Sequence, residues 1–426
     1  MRNRQFIVAL IAGTVLGVAN VYAGGSCVPN GDTTSTCHWE LTPILDDEDN
    51  PVYLEDGKTP AQQLTISGNG AIKAYGYGSQ WIISPWFDKR NTIKNVVIED
   101  GITNLPSCTG CLSSTTTNIS IPNSVTTIGY SAFEGATGLT SLTIPNSVTS
   151  IGNNAFKSAN ALKSLVIPDS VTSIGDGAFF DAYSLETLEL GKGLTSIGAY
   201  AFRQPVSLTS LVIPDTVTSI GDSAFYRVPK LTSLKLSEQL TSIPNSAFYA
   251  ANSLKSLVIP DSVTSIGDGA FFDAYSLETL ELGKGLTSIG AYAFRQPVSL
   301  RKLVIPDTVT SIGAGAFWRA KLSDLTVSAE NLQRFLESGG EFLNTNAVIK
   351  CTTGDCKEIL KNYANGKYAA YAENVRYMAL KNPDGSTTYF DDDGNIIGYK
   401  GKRIYTIDEA TLVSKPTGNT FKLRYK

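Results

Sequence analysis

The sequence predicts a β-rich solenoid of stacked parallel strands, capped at both ends and followed by a small C-terminal β module. The first observation is that the dipeptide Ala-Phe recurs at a constant interval of 23 residues. The phenylalanines of this series are Phe133, Phe156, Phe179, Phe202, Phe225, Phe248, Phe271, Phe294 and Phe317. The second is that residues 162–208 recur letter for letter as residues 254–300, four units later. A fixed period of this length is typical of proteins in which each repeat packs mainly on its neighbours.

Six apolar positions are shared by the units, and their spacing predicts the local structure. In one unit they are Leu162, Leu165, Ile167, Val171, Ile174 and Phe179. Leu165 and Ile167 are two residues apart and share one face of a strand, while Val166 faces the other way. Pro168 ends that strand because it has no N–H to donate to a ladder. One unit cannot bury these side chains alone, so neighbours stack about 4.8 Å apart and the phenylalanines form an interior column.

The repeat resembles a known family. The pattern Leu-x-x-Leu-x-Ile-Pro-x-Ser-Val-Thr-x-Ile-Gly-x-x-Ala-Phe is similar to the BspA-like class of leucine-rich repeats, whose unit also has 23 residues with this Ile-Pro and Ala-Phe. The resemblance covers roughly residues 93–328. It implies a leucine-rich repeat solenoid in a bacterial, exported and surface-associated protein. It also implies adhesion as a function, since some members of the family bind host matrix proteins or other cells.

The first residues predict an export signal. Arg2 and Arg4 precede an apolar run over residues 6–18, and a cleavage site follows at Ala23. That run of 13 residues is shorter than the ~20 needed to span a bilayer, as in a secretory signal peptide. The alternative is a buried N-terminal helix. We therefore expect a mature chain without a membrane span, extracellular or at the cell surface, with the periplasm as an alternative.

The chain divides into five predicted segments. They are a signal peptide (1–23), an N-terminal β entry segment (24–92), the repeat solenoid (93–328), a C-terminal cap with helices (329–380) and a β-hairpin module (381–426). At the first repeat, the apolar register is held by Ile93, Val96, Ile98, Ile102 and Leu105, but Ala-Phe is missing, which indicates a capping unit.

The C-terminal segments lack the repeat pattern. Leu332, Phe335 and Leu336 have helical spacing, which predicts a helix ended by two glycines at 339 and 340. In the module, Asp-Gly pairs at 384 and 393 indicate hairpin turns. Strands are predicted near residues 387–390, 396–399, 403–406 and 420–425.

Six cysteines occur as three local pairs, which agrees with export. The pairs are Cys27 with Cys37, Cys108 with Cys111 and Cys351 with Cys356. Six cysteines allow 15 pairings, and the near-neighbour pairing is favoured because each pair lies in a different segment. The Cys108–Cys111 spacing is also that of a zinc or redox motif. A disulfide is preferred there, because neither a second ligand pair nor a βαβ pattern is visible.

Composition argues against catalysis and nucleic-acid binding. The 35 basic and 39 acidic residues give a net charge of −4, with no excess of cations for phosphates. His38 is the single histidine and lies in a segment rich in turn residues, and no nucleophile motif or phosphate loop is present. Acidic clusters at residues 46–49 and 391–395 could hold calcium but are better explained as turns. The aspartates that follow the repeat prolines are interpreted as solvated turns. We expect a non-enzymatic protein without cofactor or metal.

Two rows of side chains are candidate binding surfaces. The outward strand row is mixed in character and comprises Thr143, Val166, Glu189, Val212, Lys235, Val258, Glu281 and Val304. The residue after each core phenylalanine is more informative, because aromatic residues and arginine are enriched at binding hot spots. After Glu134 and Lys157, this second row continues as Phe180, Arg203, Tyr226, Tyr249, Phe272, Arg295 and Trp318.

The second row predicts a recognition strip for an extended polymer. Aromatic faces can pack on sugar rings and arginine can pair with carboxylates. Trp318, near the end of the stack, is expected to be the least covered, and Trp318, Arg295 and Tyr249 are the best single candidates. The alternative is that these rings complete the core, although Lys157 and Arg203 argue for partial exposure.

The predicted function is that of an exported, adhesin-like repeat protein that binds an extracellular protein or glycan. An alternative is a structural spacer that presents the module at 381–426, which deletion of that module would discriminate. A hydrolase hidden in the terminal segments is the least favoured, for want of a nucleophile–base pair. The ligand and the oligomeric state stay open.

Overall fold

The computed structural model describes residues 22–26, 36–71, 86–105, 112–339, 343–362, 375–377, 379–381, 387–390, 396–398 and 402–405. Several predictions concern residues outside these ranges: most of the signal peptide, Cys27, Cys108, Cys111, the acidic cluster at 391–395 and the last predicted strand at 420–425. Among the described residues, no helix is both long and apolar enough to cross a membrane.

The N-terminal strands start the solenoid. Strands β1 (Tyr22–Ser26), β2 (Thr36–Pro43) and β3 (Gln62–Ala71) pair antiparallel in that order. A 3-10 helix (Phe87–Thr92) follows, and β3 then pairs parallel with both β4 (Ile93–Ile98) and β5 (Ile102–Leu105). The side chains that hold the first repeat register are buried, as predicted: Ile93, Val96, Ile98, Ile102 and Leu105. The antiparallel strands therefore cover the open end of the stack.

Each regular repeat contributes two short strands, of which the sequence analysis predicted one, except that the repeat containing Leu142 contributes only the second. The first strands are β6 (Asn118–Ser120), β9 (Ser164–Val166), β11 (Thr187–Glu189), β13 (Ser210–Val212), β15 (Ser233–Lys235), β17 (Ser256–Val258), β19 (Thr279–Glu281) and β21 (Lys302–Val304). The second strands are β7 (Thr127–Ile128), β8 (Ser150–Ile151), β10 (Ser173–Ile174), β12 (Ser196–Ile197), β14 (Ser219–Ile220), β16 (Ser242–Ile243), β18 (Ser265–Ile266), β20 (Ser288–Ile289) and β22 (Ser311–Ile312). The run of β-branched residues before each glycine was the available signal for the second strand.

The strands pair in parallel with the register of the repeat. Leu165 lies opposite Leu188 in the first strands, and Ile174 lies opposite Ile197 in the second strands. Each partner is one period along the chain. The predicted parallel-strand solenoid of leucine-rich repeats is therefore confirmed.

The phenylalanine column forms the centre of the core, as predicted. Adjacent rings from Phe133 to Phe317 stack with centroids 5.2 to 5.5 Å apart. The rings from Phe156 to Phe294 are fully buried. At the C-terminal end, Phe335 continues the column, with its ring centroid 5.4 Å from that of Phe317.

Side-chain carboxylates and amides connect consecutive repeats. Asp169 Oδ1 accepts the backbone N–H of Lys192 at 2.7 Å, and Asp176 Oδ1 accepts that of Ala199 at 2.7 Å. At Asp215, the same bond from the backbone N–H of Glu238 lowers the pKa of the carboxyl. The aspartates after the repeat prolines were interpreted as solvated turns. They are exposed, but Asp169 and Asp215 also bind the backbone of the next unit.

Pro244 interrupts the sheet of second strands. In the flanking units the corresponding glycine donates its N–H to an isoleucine carbonyl, from Gly221 to Ile197 at 2.8 Å and from Gly267 to Ile243 at 2.7 Å. Proline has no N–H to donate. The second strands accordingly form one sheet that ends at β14 and another that runs from β16 to β22.

The C-terminal cap extends the parallel sheet. Strand β23 (Leu322–Val327) leads to α1 (Ala329–Glu337), β24 (Leu343–Cys351), α2 (Cys356–Asn362) and β25 (Val375–Tyr377), and the sheet order is β21-β23-β24-β25. Ser328 caps α1 by accepting the N–H of Asn331. The predicted buried face of α1 is confirmed, since Leu332, Phe335 and Leu336 are buried.

The module at the C-terminus is a four-stranded antiparallel sheet. Its strands are β26 (Ala379–Lys381), β27 (Thr387–Phe390), β28 (Ile396–Gly398) and β29 (Lys402–Tyr405). Strand β26 was not predicted, and it crosses the boundary that the sequence analysis placed between residues 380 and 381. Single-sequence patterns place element boundaries less reliably than the elements themselves.

A disulfide links β24 to α2, and its position indicates which part of the protein becomes less protected from hydrogen exchange on reduction. Cys351 and Cys356 form the predicted bond, and Cys37 is also disulfide-bonded. Because each repeat depends mainly on its neighbours, reduction is expected to raise hydrogen exchange at the C-terminal cap before the central repeats. Hydrogen exchange with and without reductant measures this, with the double variant Cys351→Ser and Cys356→Ser as control. Exchange that rises first around Phe225 would contradict the prediction.

Candidate recognition surface

The aromatic–Arg row lies on the solenoid surface, beside the buried phenylalanine column. We use this name for Phe180, Arg203, Tyr226, Tyr249, Phe272, Arg295 and Trp318. Each follows a core phenylalanine by one residue, so its side chain leaves the turn in another direction. All seven side chains are half-buried. The row is therefore neither the fully buried core of the alternative interpretation nor a set of free side chains.

Stacking and cation–π contacts connect the row from one repeat to the next. The rings of Tyr226 and Tyr249 are 4.6 Å apart, and those of Tyr249 and Phe272 are 4.7 Å apart. The Arg203 guanidinium lies 4.9 Å from the Phe180 ring and 5.1 Å from the Tyr226 ring. These contacts, together with those of Arg295, make one ladder over seven repeats.

The stacking determines which parts of the aromatic side chains are left to contact a ligand. We expected aromatic faces to be free for sugar rings. Tyr249 lies between two rings at stacking distance, so its faces are covered and its edge and hydroxyl remain. The ring faces are covered because the repeat period places successive rings at the separation that stacked aromatic pairs prefer. This burial raises the pKa of the Tyr249 hydroxyl, and the neighbouring Tyr226 raises it further.

At the C-terminal end of the row, cationic side chains lie against the Trp318 ring. Two guanidinium groups approach the Trp318 ring, that of Arg295 at 4.5 Å and that of Arg319 at 4.4 Å. Trp318 is half-buried like the other members. At the other end, Glu134 and Lys157 hold the same register and form an ion pair at 3.1 Å.

The two arginines of the row keep hydrogen-bonding capacity. Among the described residues, the guanidinium groups of Arg203 and Arg295 have no hydrogen-bond or ion-pair partner, and only their backbone groups are hydrogen-bonded. The aromatic contacts involve the flat faces of the guanidinium groups, whereas the N–H donors lie in the plane. In-plane donors held by rings suit bidentate pairing with a carboxylate.

A polar ladder runs beside the row, which the sequence analysis missed. Gln204 Nε2 donates to Asp181 Oδ1 at 3.0 Å, and Arg227 donates to Gln204 Oε1 at 3.3 Å. In the duplicated block, Gln296 donates to Asp273 at 3.1 Å. The 23-residue offset of these residues was the signal that could have found them.

The strand row on the first strands is exposed. Its valines, Val166, Val212, Val258 and Val304, are 51 to 57% exposed. Parallel pairing places a valine beside a charged residue, as in Val166 opposite Glu189 and Val212 opposite Lys235. Charges therefore interrupt the apolar surface at each second repeat, and no continuous apolar patch forms along this row.

A shallow groove of about 630 Å³ follows the second strands. It is lined by the Ser-Ile-Gly segments of successive repeats, including Ser173, Gly175 and Asp176. The Asp176 carboxylate already accepts the backbone N–H of Ala199.

Other sequence candidates occupy simple structural positions. His38 is exposed on strand β2 rather than in a turn. Asp46 Oδ1 accepts the backbone N–H groups of Glu48 and Asn50, both at 2.9 Å, so the first acidic cluster is a turn. Within the described ranges, no three His, Cys, Asp or Glu side chains come together where they could hold a metal ion.

Comparison with family models decides the family. The model of the BspA type leucine rich repeat region matches in six copies, over residues 81–206, 109–232 and 195–324. These matches span more than half of the chain. The chain belongs to the BspA-type leucine-rich repeat family. The resemblance noted from the repeat pattern is thereby confirmed.

Solved structures similar to this BspA-type chain include bacterial repeat proteins. A leucine rich cell surface protein from Faecalibacterium prausnitzii is 24% identical, with 71% of this chain and 92% of that chain covered and a TM-score of 0.41. A leucine-rich repeat protein from Bacteroides ovatus is 18% identical, with 78% and 98% covered and a TM-score of 0.41. One from Eubacterium ventriosum is 22% identical, with 70% and 95% covered and a TM-score of 0.34. No curated protein matches this chain.

Proposed function

We propose that this BspA-type protein is exported and binds a macromolecule outside the cell, without catalysing a reaction. The ligand is a host matrix protein, a glycan or a neighbouring cell surface, and binding is adhesin-like. The carrying observation is the aromatic–Arg row, a half-buried ladder over seven repeats with two arginines whose guanidinium N–H donors have no described partner. Export is supported by the N-terminal sequence and the paired cysteines.

The spacing of the row supports an extended ligand. Its rings repeat at 4.6 to 4.7 Å in the central part. A ligand that extends along the solenoid meets edges, hydroxyls and guanidinium groups at this interval. Several weak contacts on one rigid surface add up without large ordering costs for the protein.

Removing two rings of the row tests the proposal. The double variant Tyr249→Ala and Trp318→Ala is expected to weaken binding at least about tenfold, because truncation of a central aromatic residue commonly costs over ~1 kcal/mol. Stability is expected to fall by about 2 kcal/mol, since the ring stacking of Tyr249 and the cation–π contacts of Trp318 are lost. A solid-phase screen of matrix proteins and glycans supplies the ligand, and titration below the melting temperature measures its affinity.

The exposed valines provide the matched control. Val212→Ala with Val258→Ala removes apolar area from the strand row and is expected to leave binding unchanged. Loss of binding in this variant would assign recognition to the strand row. Absence of any ligand in a broad screen would count against the proposed function.

A further inference from the structure

A cavity lies where the aromatic–Arg row meets the C-terminal cap. Its volume is about 480 Å³. Its lining includes Phe272, Tyr292, Arg295, Gly315, Trp318 and Ser338. The cap is tied to the last repeat here, because the N–H of Gly315 donates to the Ser338 carbonyl at 2.6 Å. We call this site the end cavity.

Arg295 places a positive charge in the end cavity. Its guanidinium carbon lies 4.5 Å from the Phe272 ring and 4.5 Å from the Trp318 ring. The two rings restrict the orientation of the group and leave its in-plane N–H donors without a described partner. A guanidinium held in this way loses little entropy when it forms two parallel bonds to a carboxylate.

Tyr292 supplies the free aromatic surface that the row itself lacks. It is 47% exposed and has no stacked ring partner among the described residues. A Cβ at Gly315 would lie 2.6 Å from Tyr292 Cε1, so the ring approaches the Gly315 backbone closely. Because Gly315 has no side chain, the ring can lie there beside Arg295 while part of it faces the cavity.

The duplicated block contains an internal comparison. Tyr200 and Arg203 belong to the identical earlier copy of the segment. One repeat later the copies differ, since Ser223 stands at the position of Gly315, and Tyr226 stands at that of Trp318. Ser223 has φ 56° and Gly315 has φ 62°, so serine is compatible with this left-handed backbone. The cap residue Ser338 lines the end cavity beside the later copy, which is the copy next to the cap.

We propose that the end cavity binds one uronic acid residue of an extended glycan. Its carboxylate pairs with Arg295, and its sugar ring packs on the exposed part of Tyr292. The proposal rests on the proposed function and names the ligand chemistry of the same surface. The net charge of the chain is −4, which disfavours diffuse attraction of a polyanion. An oriented cation beside an exposed aromatic ring favours a sugar acid, because the sugar ring can pack on the aromatic ring while its carboxylate pairs with the cation. A peptide carboxylate would use the cation alone.

Titration of the full chain with trigalacturonate tests the end cavity. Arg295→Gln is expected to weaken binding about 10- to 100-fold, the usual effect of losing hydrogen bonds to a charged group. The wild type is expected to bind the methyl ester of the same trisaccharide as weakly as Arg295→Gln binds the free acid. Arg227→Gln removes the same charge in the earlier block, outside the cavity, and is expected to change the affinity less than about twofold.

A second variant tests the cavity while keeping its arginine. Gly315→Ser copies the sequence of the earlier block and is expected to displace Tyr292 and weaken trigalacturonate binding about tenfold. Melting curves establish that each variant is folded. Equal affinity of the wild type for the methyl ester, or unchanged affinity of Arg295→Gln for trigalacturonate, would overturn the proposal.

The outcomes also separate the two proposals. Suppose that Tyr249→Ala weakens binding of a polymer from the screen, while Arg295→Gln binds trigalacturonate with wild-type affinity. The end-cavity proposal then fails and the proposed function stands. If trigalacturonate requires Arg295 but binding to screened polymers is independent of Tyr249, the role of the row fails and the cavity stands. Tighter binding of tri-glutamate than of trigalacturonate would overturn the sugar assignment in favour of an acidic peptide.

Discussion

Replacing Phe225 by alanine is expected to destabilise the central repeats by about 3–5 kcal/mol. The Phe225 ring is fully buried and stacks on Phe202 and Phe248, at 5.4 and 5.5 Å. Its removal leaves a cavity and weakens the interfaces of one repeat with both neighbours. Native-state hydrogen exchange measures the loss repeat by repeat, which suits an array that need not unfold in one step.

The end of the column provides the control for this prediction. The Phe133 ring stacks on one ring of the column, that of Phe156, and is 4% exposed. Phe133→Ala is therefore expected to cost less than Phe225→Ala and to affect mainly the N-terminal repeats. An unchanged melting temperature for Phe225→Ala would refute the stabilising role of the column.

Replacing Gly267 by alanine is expected to cost about 3 kcal/mol, because the close packing of repeats leaves no space for a side chain. A Cβ at this position would lie 2.6 Å from the backbone nitrogen of Asn245 and 2.7 Å from the carbonyl carbon of Pro244. To relieve these contacts the second strands must separate, which weakens the bond from Gly267 N–H to the Ile243 carbonyl. Thermal and denaturant unfolding measure the effect.

Gly269, two residues later in the same turn, is the matched control. Its φ is 59°, and the nearest atom to an added Cβ is Ser246 Oγ at 3.6 Å. Gly269→Ala therefore meets only the left-handed backbone penalty, about 1 kcal/mol. If both variants lose the same stability, close approach is not the reason for glycine at position 267.

The repeat pattern was sufficient to predict much of the fold. Leu165 and Ile167 alternate with Val166, and the structure buries the first two and exposes the third. The helix in the cap followed in the same way from the spacing of Leu332 and Phe335. These predictions succeed because burial in a short strand or helix follows from the local period of apolar residues.

The candidate surface was predicted less completely. The 23-residue period identified which residues form the aromatic–Arg row, but not that Tyr249 stacks between Tyr226 and Phe272. The polar ladder from Asp181 to Arg227 was also missed. Which face of a ring is covered depends on neighbours one repeat away, and a residue list gives no orientation.

The sequence by itself determined the period, the column of buried phenylalanines and the two rows of outward side chains. These features follow from residue type and spacing within one unit, repeated along the chain. The tertiary structure alone decided the interruption at Pro244, the covered aromatic faces and the end cavity, in which Tyr292, Gly315 and Ser338 meet. The physical reason is that stacking converts separations of one or two periods into direct contact, so these features depend on distances between repeats that are absent from the pattern within each repeat.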